Sequence, residues 1–415
     1  MGNKYTEDIV AIAKRENNQK RSYLVVNKLQ GKHIPVAPGD AFQMFHALAK
    51  KVKEAYPDET LLLVGFAETA TAIGAYLAVE LDTYYIQTTR EHIPGVCYLC
   101  FSESHSHATE QMIVKNDMDD VIARIDRIVF VEDEVTTGNT ILHMVDLLKQ
   151  TYGEQAMFAV ASILNGMDSI SQETYRMQGI DMLYLVKTDH SGYAERAEQF
   201  TGKGIYHKKN TSPAACHPAD QPGTTCMDGM VLELEIPGCQ NARRLQKGAS
   251  YQKACETLWN GLWRKLPCSV DGLLLQPADG KASDRTQEMC RPGSLLQKGR
   301  RVLVLGTEEL MYPALYVAKQ FEEAGCMVRF HATTRSPIAP SPESGYPLQE
   351  RYELASLYDA RRTTYIYELA TYDVVFVITD AVCEEPDGVN SLLHALMGSG
   401  NQDIVFVKWR EGERI

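Results

Sequence analysis

The feature of the sequence that most constrains its fold is an apolar run followed directly by two carboxylates and a small, hydroxyl-rich loop. Residues 128–131 are apolar without alternation, which is the pattern of a strand buried on both faces of a parallel sheet. Glu132 and Asp133 come where this strand is predicted to end, and a loop over 136–140 leads into a helix predicted over 141–148. Because ligands of such sheets bind at the carboxyl ends of the strands, the segment predicts a functional site here.

The loop and the two acids suit different parts of one ligand. Backbone N–H groups at a helix N-terminus, together with the helix dipole, attract an anion. Carboxylates beside that anion suit sugar hydroxyls, or a Mg²⁺ ion shared with the ligand. A ribose that carries a 5-phosphate satisfies both requirements. The alternatives are a strand, loop and helix that bind nothing, or another phosphate loop, although the Walker motif requires a Lys that does not follow Gly138.

These residues resemble the phosphoribosyl-pyrophosphate (PRPP) motif of type I phosphoribosyltransferases. The resemblance implies that Glu132 and Asp133 hold the ribose hydroxyls and, through PRPP, a Mg²⁺ ion. It also implies that the 5-phosphate binds the loop residues Thr136, Thr137, Gly138, Asn139 and Thr140. Glu134 departs from the motif, because the family usually has an aliphatic residue there, so a third carboxylate is predicted near the diol site. The implied activity is Mg²⁺-dependent transfer of phosphoribose to a base-like or other small acceptor, which the sequence does not identify.

A second strand end is predicted to contribute to the same site. The turn over residues 65–71 follows a buried strand and has the position of the family's pyrophosphate-binding loop. The residues predicted to contact PRPP there are Gly65, Ala67, Glu68 and Thr69. A cap for the following helix would explain Thr69 equally well.

The stretch over 88–111 corresponds to the mobile loop that closes over PRPP in the resembled family. Arg90 is predicted to clamp the pyrophosphate, and His105 or His107 to donate to it or to position the nucleophile. A transition-metal site formed by the two histidines with Glu103, or a solvated polar loop, are the alternatives that stay open.

Alternating strands and helices predict an α/β protein, with a parallel sheet in the first half that carries helices on both faces. The predicted strands there cover 60–65, 84–87, 128–131, 156–164 and 182–186, and the predicted helices 42–52, 69–81, 141–148 and 171–178. Further along the chain, strands are predicted over 301–306, 327–332, 372–380 and 403–407, with helices over 312–325 and 389–397. The sequence thus predicts domains over 1–207 and 300–415, joined by a segment over 208–299 that contains a helix at 243–266.

Residues 334–337, Thr-Arg-Ser-Pro, resemble the signature of the TRSP domain, which follows an orotate phosphoribosyltransferase-like domain in its family. The resemblance implies a bacterial protein of tellurite-resistance-type gene clusters, whose second domain binds or processes the product. A group suited to an anionic ligand is predicted at Glu308, Thr334, Arg335 and Ser336. An ordinary polar turn capped by Pro337 is the alternative.

Composition narrows the choice of partners. The net charge of −12 disfavours a nucleic-acid surface, and the absence of an apolar run near 18 residues disfavours a membrane span, so a cytoplasmic location is expected. Cys97, Cys100, Cys326 and Cys383 lie in apolar segments and are expected to be reduced core thiols. The oligomeric state stays open, although this fold commonly forms homodimers. A PRPP-sensing regulatory protein without transferase turnover is the alternative function.

Overall fold

The computed structural model describes residues 4–16, 21–101, 111–214, 231–239, 241–266, 269–270, 273–274, 298–381 and 386–411. His105, His107 and Glu103 lie outside these ranges, so their predicted roles stay predictions. In the ranges that are described, no helix combines the length and the apolar character needed to cross a membrane.

The first half of the chain forms alternating strands and helices, as predicted. Its strands are β1 (Val10–Arg15), β2 (Tyr23–Asn27), β3 (Leu61–Gly65), β4 (Tyr84–Gln87), β5 (Tyr98–Phe101), β6 (Gln111–Val114), β7 (Arg127–Val135), β8 (Met157–Asn165), β9 (Ile180–Lys187) and β10 (Ile205–His207). Its helices are α1 (Pro38–Ala55), α2 (Thr71–Leu81), α3 (Lys115–Val121), α4 (Asn139–Tyr152), α5 (Ser169–Met177) and α6 (Tyr193–Glu198), with 3-10 turns at Glu7–Ile9 and Ile122–Arg124.

The second half adds another set of strands and helices. The strands are β11 (Val231–Cys239), β12 (Gln246–Lys247), β13 (Ser269–Val270), β14 (Leu273–Leu274), β15 (Arg301–Gly306), β16 (Met327–Ala332), β17 (Ile338–Ala339), β18 (Glu350–Ala355), β19 (Thr363–Tyr367), β20 (Val374–Thr379) and β21 (Ile404–Glu411). The helices are α7 (Gly248–Lys265), α8 (Tyr312–Glu323) and α9 (Pro386–Gly398).

The first sheet has the strand order β12-β4-β3-β7-β8-β9. All of its pairs are parallel except the short edge pair of β12 with β4. The apolar run at 128–131 lies in the centre of this sheet and is fully buried, which confirms the predicted two-sided burial. The fold is therefore the predicted α/β class.

The strand β7 is longer than the sequence predicted. It continues through Glu132, Asp133 and Glu134 to Val135, because β8 keeps pairing beside it as far as the partners Val135 and Asn165. The prediction that the strand ends before the acids is therefore wrong. Backbone pairing outlasts the apolar run, since the side chains at this end emerge at the open edge of the sheet rather than in the core.

The second sheet is parallel throughout, in the order β11-β21-β20-β15-β16. The segment predicted as a connection thus supplies an edge strand, β11, to this sheet. A further sheet of order β10-β18-β19 joins the end of the first half to the second half. The division of the chain into two domains and a connecting segment stays a prediction.

The two halves share a hydrophobic core. One continuous cluster of buried side chains includes Leu62 and Phe130 from the first sheet and Val304 and Phe376 from the second. β1 also pairs with β17 across the two halves. The segment at Val36 forms an antiparallel bridge with Phe330. The halves are therefore held against each other by apolar packing as well as by backbone pairing.

The expected core burial of the cysteines is only partly confirmed. Cys326 is buried, but Cys97 and Cys100 are exposed, so the prediction for these two residues is wrong, and Cys383 lies outside the described residues. They lie at the β5–β6 ribbon, a two-stranded sheet outside the two large sheets. Such a ribbon leaves part of its residues facing solvent, which an apolar local sequence does not reveal.

The close packing of α7 on α2 generates a test of the fold. A Cβ atom added at Gly248 would lie 2.0 Å from the carbonyl oxygen of Ala78, which is backbone and cannot swing away. We expect Gly248→Ala to lower the free energy of unfolding by about 1–3 kcal/mol in urea denaturation. Gly192→Ala is the matched control, because no atom lies within 4 Å of its added Cβ. Equal stability of the two variants would contradict the packing.

Candidate functional site

Asp133 is the best-defined acid at the carboxyl edge of the first sheet. The hydroxyl of Thr69, from the loop after β3, donates a hydrogen bond to Oδ1 of Asp133 at 2.7 Å. Burial, together with the charge of Glu134, raises the pKa of Asp133 from 3.8 to about 6. Glu132 lies beside it on the same strand and is partly exposed. The structure thus joins Asp133, one of the two predicted acids, to one residue of the predicted pyrophosphate loop.

The loop between β7 and α4 takes a conformation that requires glycine. Gly138 has φ +72°, and an added Cβ would lie 2.3 Å from the hydroxyl oxygen of Tyr175. That hydroxyl donates to the carbonyl oxygen of Gly138 at 2.8 Å, which holds the start of the helix in place. The N-cap residue, Gly138, has no side chain to bind the first N–H groups of α4, but the N–H of Asn139 donates to the Thr137 hydroxyl at 3.4 Å. The predicted phosphate loop lies at a helix N-terminus, where anions can bind, and its role stays a prediction.

Glu134 is anchored to the N-terminal hairpin formed by β1 and β2. Its Oε2 accepts a hydrogen bond from Arg21 at 2.8 Å, and its Oε1 lies 3.4 Å from Nε2 of His190. Nδ1 of His190 lies 3.0 Å from the Tyr23 hydroxyl. Burial and the nearby Arg21 lower the pKa of His190 to about 4, so the ring is neutral at pH 7. The residue that departs from the family motif thus ties the hairpin to the edge of the sheet.

A cleft of about 1110 Å³ opens beside the phosphate loop. It lies between this loop, the turn after β8 and the end of β9, with the hairpin residue Tyr23 on its wall. Two residues of the predicted phosphate loop, Thr136 and Thr137, line this cleft. Sequence reasoning missed the β9 end of this cleft, because residues 187–191 carry no recognisable motif.

The predicted pyrophosphate loop is held by residues from other parts of the chain. Glu68 is buried, and its Oε1 accepts from Nζ of Lys32 at 2.7 Å while its Oε2 accepts from the backbone N–H of Arg335 at 3.1 Å. The Ala67–Glu68 peptide bond is cis. The backbone N–H of Ala67 donates to the Thr88 hydroxyl at 2.8 Å. The Glu68 carboxylate therefore faces the second half of the chain.

The turn after β4 is also held by the second half. Glu309 accepts from the Thr89 hydroxyl at 2.7 Å and from the backbone N–H of Arg90 at 2.9 Å. Burial opposes the ionisation of Glu309, but Arg243 and Arg335 lower its pKa to about 2. The predicted clamp residue Arg90 thus begins a loop whose first residues are fixed by a buried carboxylate.

The residues predicted as an anion site in the second half form a charge network. The guanidinium of Arg335 donates to Glu308 at 2.8 Å and to Glu91 at 2.6 Å. Thr334 pairs through its backbone with Tyr365, and the backbone N–H of Ser336 donates to the Thr334 hydroxyl. An anion would have to displace a carboxylate from Arg335, and the anion site stays a prediction. The sequence did not reveal that these residues would meet the first half.

The acid pair has the chemistry that a magnesium ion requires. Mg²⁺ prefers oxygen ligands and usually combines one or two carboxylates with water and substrate phosphate, which suits Glu132 and Asp133. In the described ranges, no group of three or more His, Cys, Asp or Glu side chains is placed to hold a metal ion.

The raised pKa of Asp133 predicts a dependence of stability on pH. The folded state binds this proton more tightly than the unfolded state, so the contribution to stability is complete below pH 3.8 and is lost as pH rises through about 6. We therefore expect Asp133→Asn to raise the free energy of unfolding at pH 8 by about 2 kcal/mol. Urea denaturation at pH 8 and pH 3.5 would measure this. An equal effect at both values would contradict the assignment.

Two known protein families match separate parts of the sequence. Residues 9–188 match the family described as "Phosphoribosyl transferase", and residues 276–396 match the family described as "TRSP domain C terminus to PRTase_2". A search of curated proteins returns no match.

The similar solved structures include phosphoribosyltransferases of low sequence identity. The adenine phosphoribosyltransferase of Rhodothermus marinus is 15% identical with a TM-score of 0.33, covering 44% of this chain and 96% of that one. The Trypanosoma brucei enzyme, in complex with AMP, pyrophosphate and ribose-5-phosphate, is 17% identical with a TM-score of 0.32, covering 44% and 77%. The orotate phosphoribosyltransferase of Aeropyrum pernix is 12% identical with a TM-score of 0.29, covering 46% and 94%. On the two family matches, the chain carries a phosphoribosyltransferase domain over residues 9–188, followed by a TRSP domain over residues 276–396.

Proposed function

We propose that the protein transfers the phosphoribosyl group of PRPP to a base-like or other small acceptor, with Mg²⁺ as cofactor. The observation that carries this proposal is the contact between Asp133 on β7 and Thr69 in the loop after β3. This contact joins Asp133, the proposed diol-binding acid, to a residue of the predicted pyrophosphate loop, so the proposed ribose and pyrophosphate sites are neighbours.

Different residues of the first sheet bind different parts of PRPP. Glu132 and Asp133 accept hydrogen bonds from the 2- and 3-hydroxyls of the ribose, and the loop at 136–140 binds the 5-phosphate through its backbone N–H groups. The loop at 65–69 faces the pyrophosphate. Departure of pyrophosphate leaves positive charge on the ribose ring, which the ionised acids stabilise.

Magnesium, when bound, neutralises charge on the leaving pyrophosphate. Glu132 and Asp133 are the residues that would hold it, together with oxygens of PRPP. Asp133 is mostly ionised at pH 7, because its pKa is raised only to about 6.

The cleft beside the phosphate loop is the proposed acceptor site. Tyr23 and the neutral ring of His190 line its wall, and the ring is held by the Tyr23 hydroxyl at Nδ1 and by the Thr188 hydroxyl at Nε2. Glu134 binds Arg21 and lies 3.4 Å from His190, which joins this wall of the cleft to the end of β7. The TRSP domain is proposed to bind or process the product.

The test is to incubate the protein with PRPP, Mg²⁺ and a panel of bases and to measure the release of pyrophosphate. We expect Asp133→Asn to lower turnover by about a hundredfold or more, because a carboxamide does not stabilise the charged ring. Asp146→Asn is the matched control, since Asp146 is exposed on the outer face of α4.

Two results would count against this function. Absence of Mg²⁺-assisted PRPP binding in calorimetry would exclude the phosphoribosyltransferase site. Tight PRPP binding without pyrophosphate release from any base would favour the alternative of a PRPP-sensing regulatory protein.

A further inference from the structure

The loop after β3 carries a carboxylate that is fully used by partners in other parts of the chain. Lys32 binds one oxygen of Glu68, and the backbone N–H of Arg335 binds the other, at 2.7 and 3.1 Å. Burial opposes the ionised form, but Lys32 and Arg335 hold the pKa of Glu68 below its ordinary value. Arg335 belongs to the TRSP signature, so this signature contacts the predicted pyrophosphate loop directly.

Lys32 joins the loop to two strand ends of the second sheet. Its side chain is 0% exposed, and its Nζ also donates to the carbonyl oxygens of Glu308 at 2.8 Å and Thr333 at 2.9 Å. An ammonium group has three N–H donors, so these three acceptors use all of them. The geometry of one buried side chain therefore sets the distance between the loop and the turns after β15 and β16.

The residue after Glu68 reaches the acid pair. Thr69 donates to Asp133, and its carbonyl oxygen accepts from Nε2 of Gln30 at 2.6 Å. Glu68 and Thr69 are consecutive, so the contacts of Glu68 hold the loop directly before Thr69, while Asp133 itself is fixed by the backbone pairing of β7. The contact with the second half is thus one residue away from the diol site.

A second loop of the first sheet is held in the same way. Glu309, which is 0% exposed in its side chain, accepts from Thr89 and from the backbone N–H of Arg90, and Arg243 donates to it at 3.0 Å. The loops after β3 and β4 are therefore both held by hydrogen bonds between a buried carboxylate and a group in the other half of the chain.

The small net stability that buried ion pairs provide suggests that they do more than hold the two halves together. Burying a charged pair gains little stability over apolar packing, because the loss of hydration offsets the attraction. Apolar contacts elsewhere already join the halves, as the shared core shows. The buried charges instead fix the positions of particular atoms in two loops, and a binding site requires its groups to be held in fixed positions.

We propose that the second domain is a fixed part of the pyrophosphate half of the PRPP site, with Lys32, Glu68 and Glu309 as positioning residues. This inference rests on the proposed function. None of these three side chains needs to touch the substrate. They hold the backbone of residues 67–69 and 89–90 in the position that pyrophosphate binding requires, while the 5-phosphate loop after β7 is outside their reach.

The test compares three ligands, PRPP with Mg²⁺, inorganic pyrophosphate with Mg²⁺, and ribose 5-phosphate, by calorimetry on the full chain. We expect Glu68→Gln and Glu309→Gln to weaken PRPP and pyrophosphate by about tenfold or more, because a small misplacement of positioning groups has large effects. Ribose 5-phosphate should change less than about twofold. A merely structural role would weaken all three ligands together.

Glu322→Gln is the matched control. Glu322 joins the same two halves by accepting from the backbone N–H of Gly39 at 3.3 Å, but it lies on α8 away from both loops. All three ligand affinities should be unchanged in this variant.

A measurement on the unaltered protein covers the case in which a variant fails to fold. Hydrogen exchange should show that pyrophosphate, but not ribose 5-phosphate, slows exchange of the amides of Arg90 and Arg335, which donate to Glu309 and Glu68. Unchanged exchange, or unchanged pyrophosphate affinity in both folded variants, would overturn the inference while leaving transferase activity in place. Failure of the unaltered protein to bind PRPP would instead remove the proposed function, and this inference with it.

Discussion

The site depends on the parallel pairing of β3 with both of its neighbours. Because β4 and β7 run in the same direction as β3, the segments that follow all three strands meet at one edge of the sheet. The hydrogen bond from Thr69 to Asp133 joins residues 64 positions apart, and it exists only because these strands are adjacent. The acid pair, the predicted phosphate loop and the predicted pyrophosphate loop lie at one edge because of that arrangement.

The same edge contacts the second half of the chain, and buried ion pairs there add to the apolar core that the halves share. Lys32, Glu68, Glu309 and Arg335 are buried or nearly so, and each has an oppositely charged partner. Such pairs add little net stability, but removing one partner leaves an uncompensated charge, which makes the alternatives costly. The halves therefore fit in one register, and that register is set at the loops that serve the candidate site.

Much of the architecture could be predicted because it depends on local patterns. β4 has the predicted bounds, and β15 and β16 also match, since short apolar runs between turn residues indicate buried strands. The hairpin of β1 and β2, the β5–β6 ribbon and β11 were not predicted. Their pairing partners lie elsewhere in the chain or in short ribbons, so the local sequence carries only a weak signal. The two exposed cysteines follow from the same cause, because burial of a ribbon depends on what packs against it.

The sequence by itself determined the order of strand, acids, glycine and helix around residue 132, because strand burial, the φ of Gly138 and helix initiation are properties of neighbouring residues. It also determined two α/β units, since the alternation of apolar periods is local. Only the tertiary structure decided which charges meet. The backbone N–H of Arg335 binds Glu68 across 267 positions, and Glu134 binds Arg21 across 113. No local pattern specifies such partners, because they depend on how strands that are distant in the chain are placed side by side.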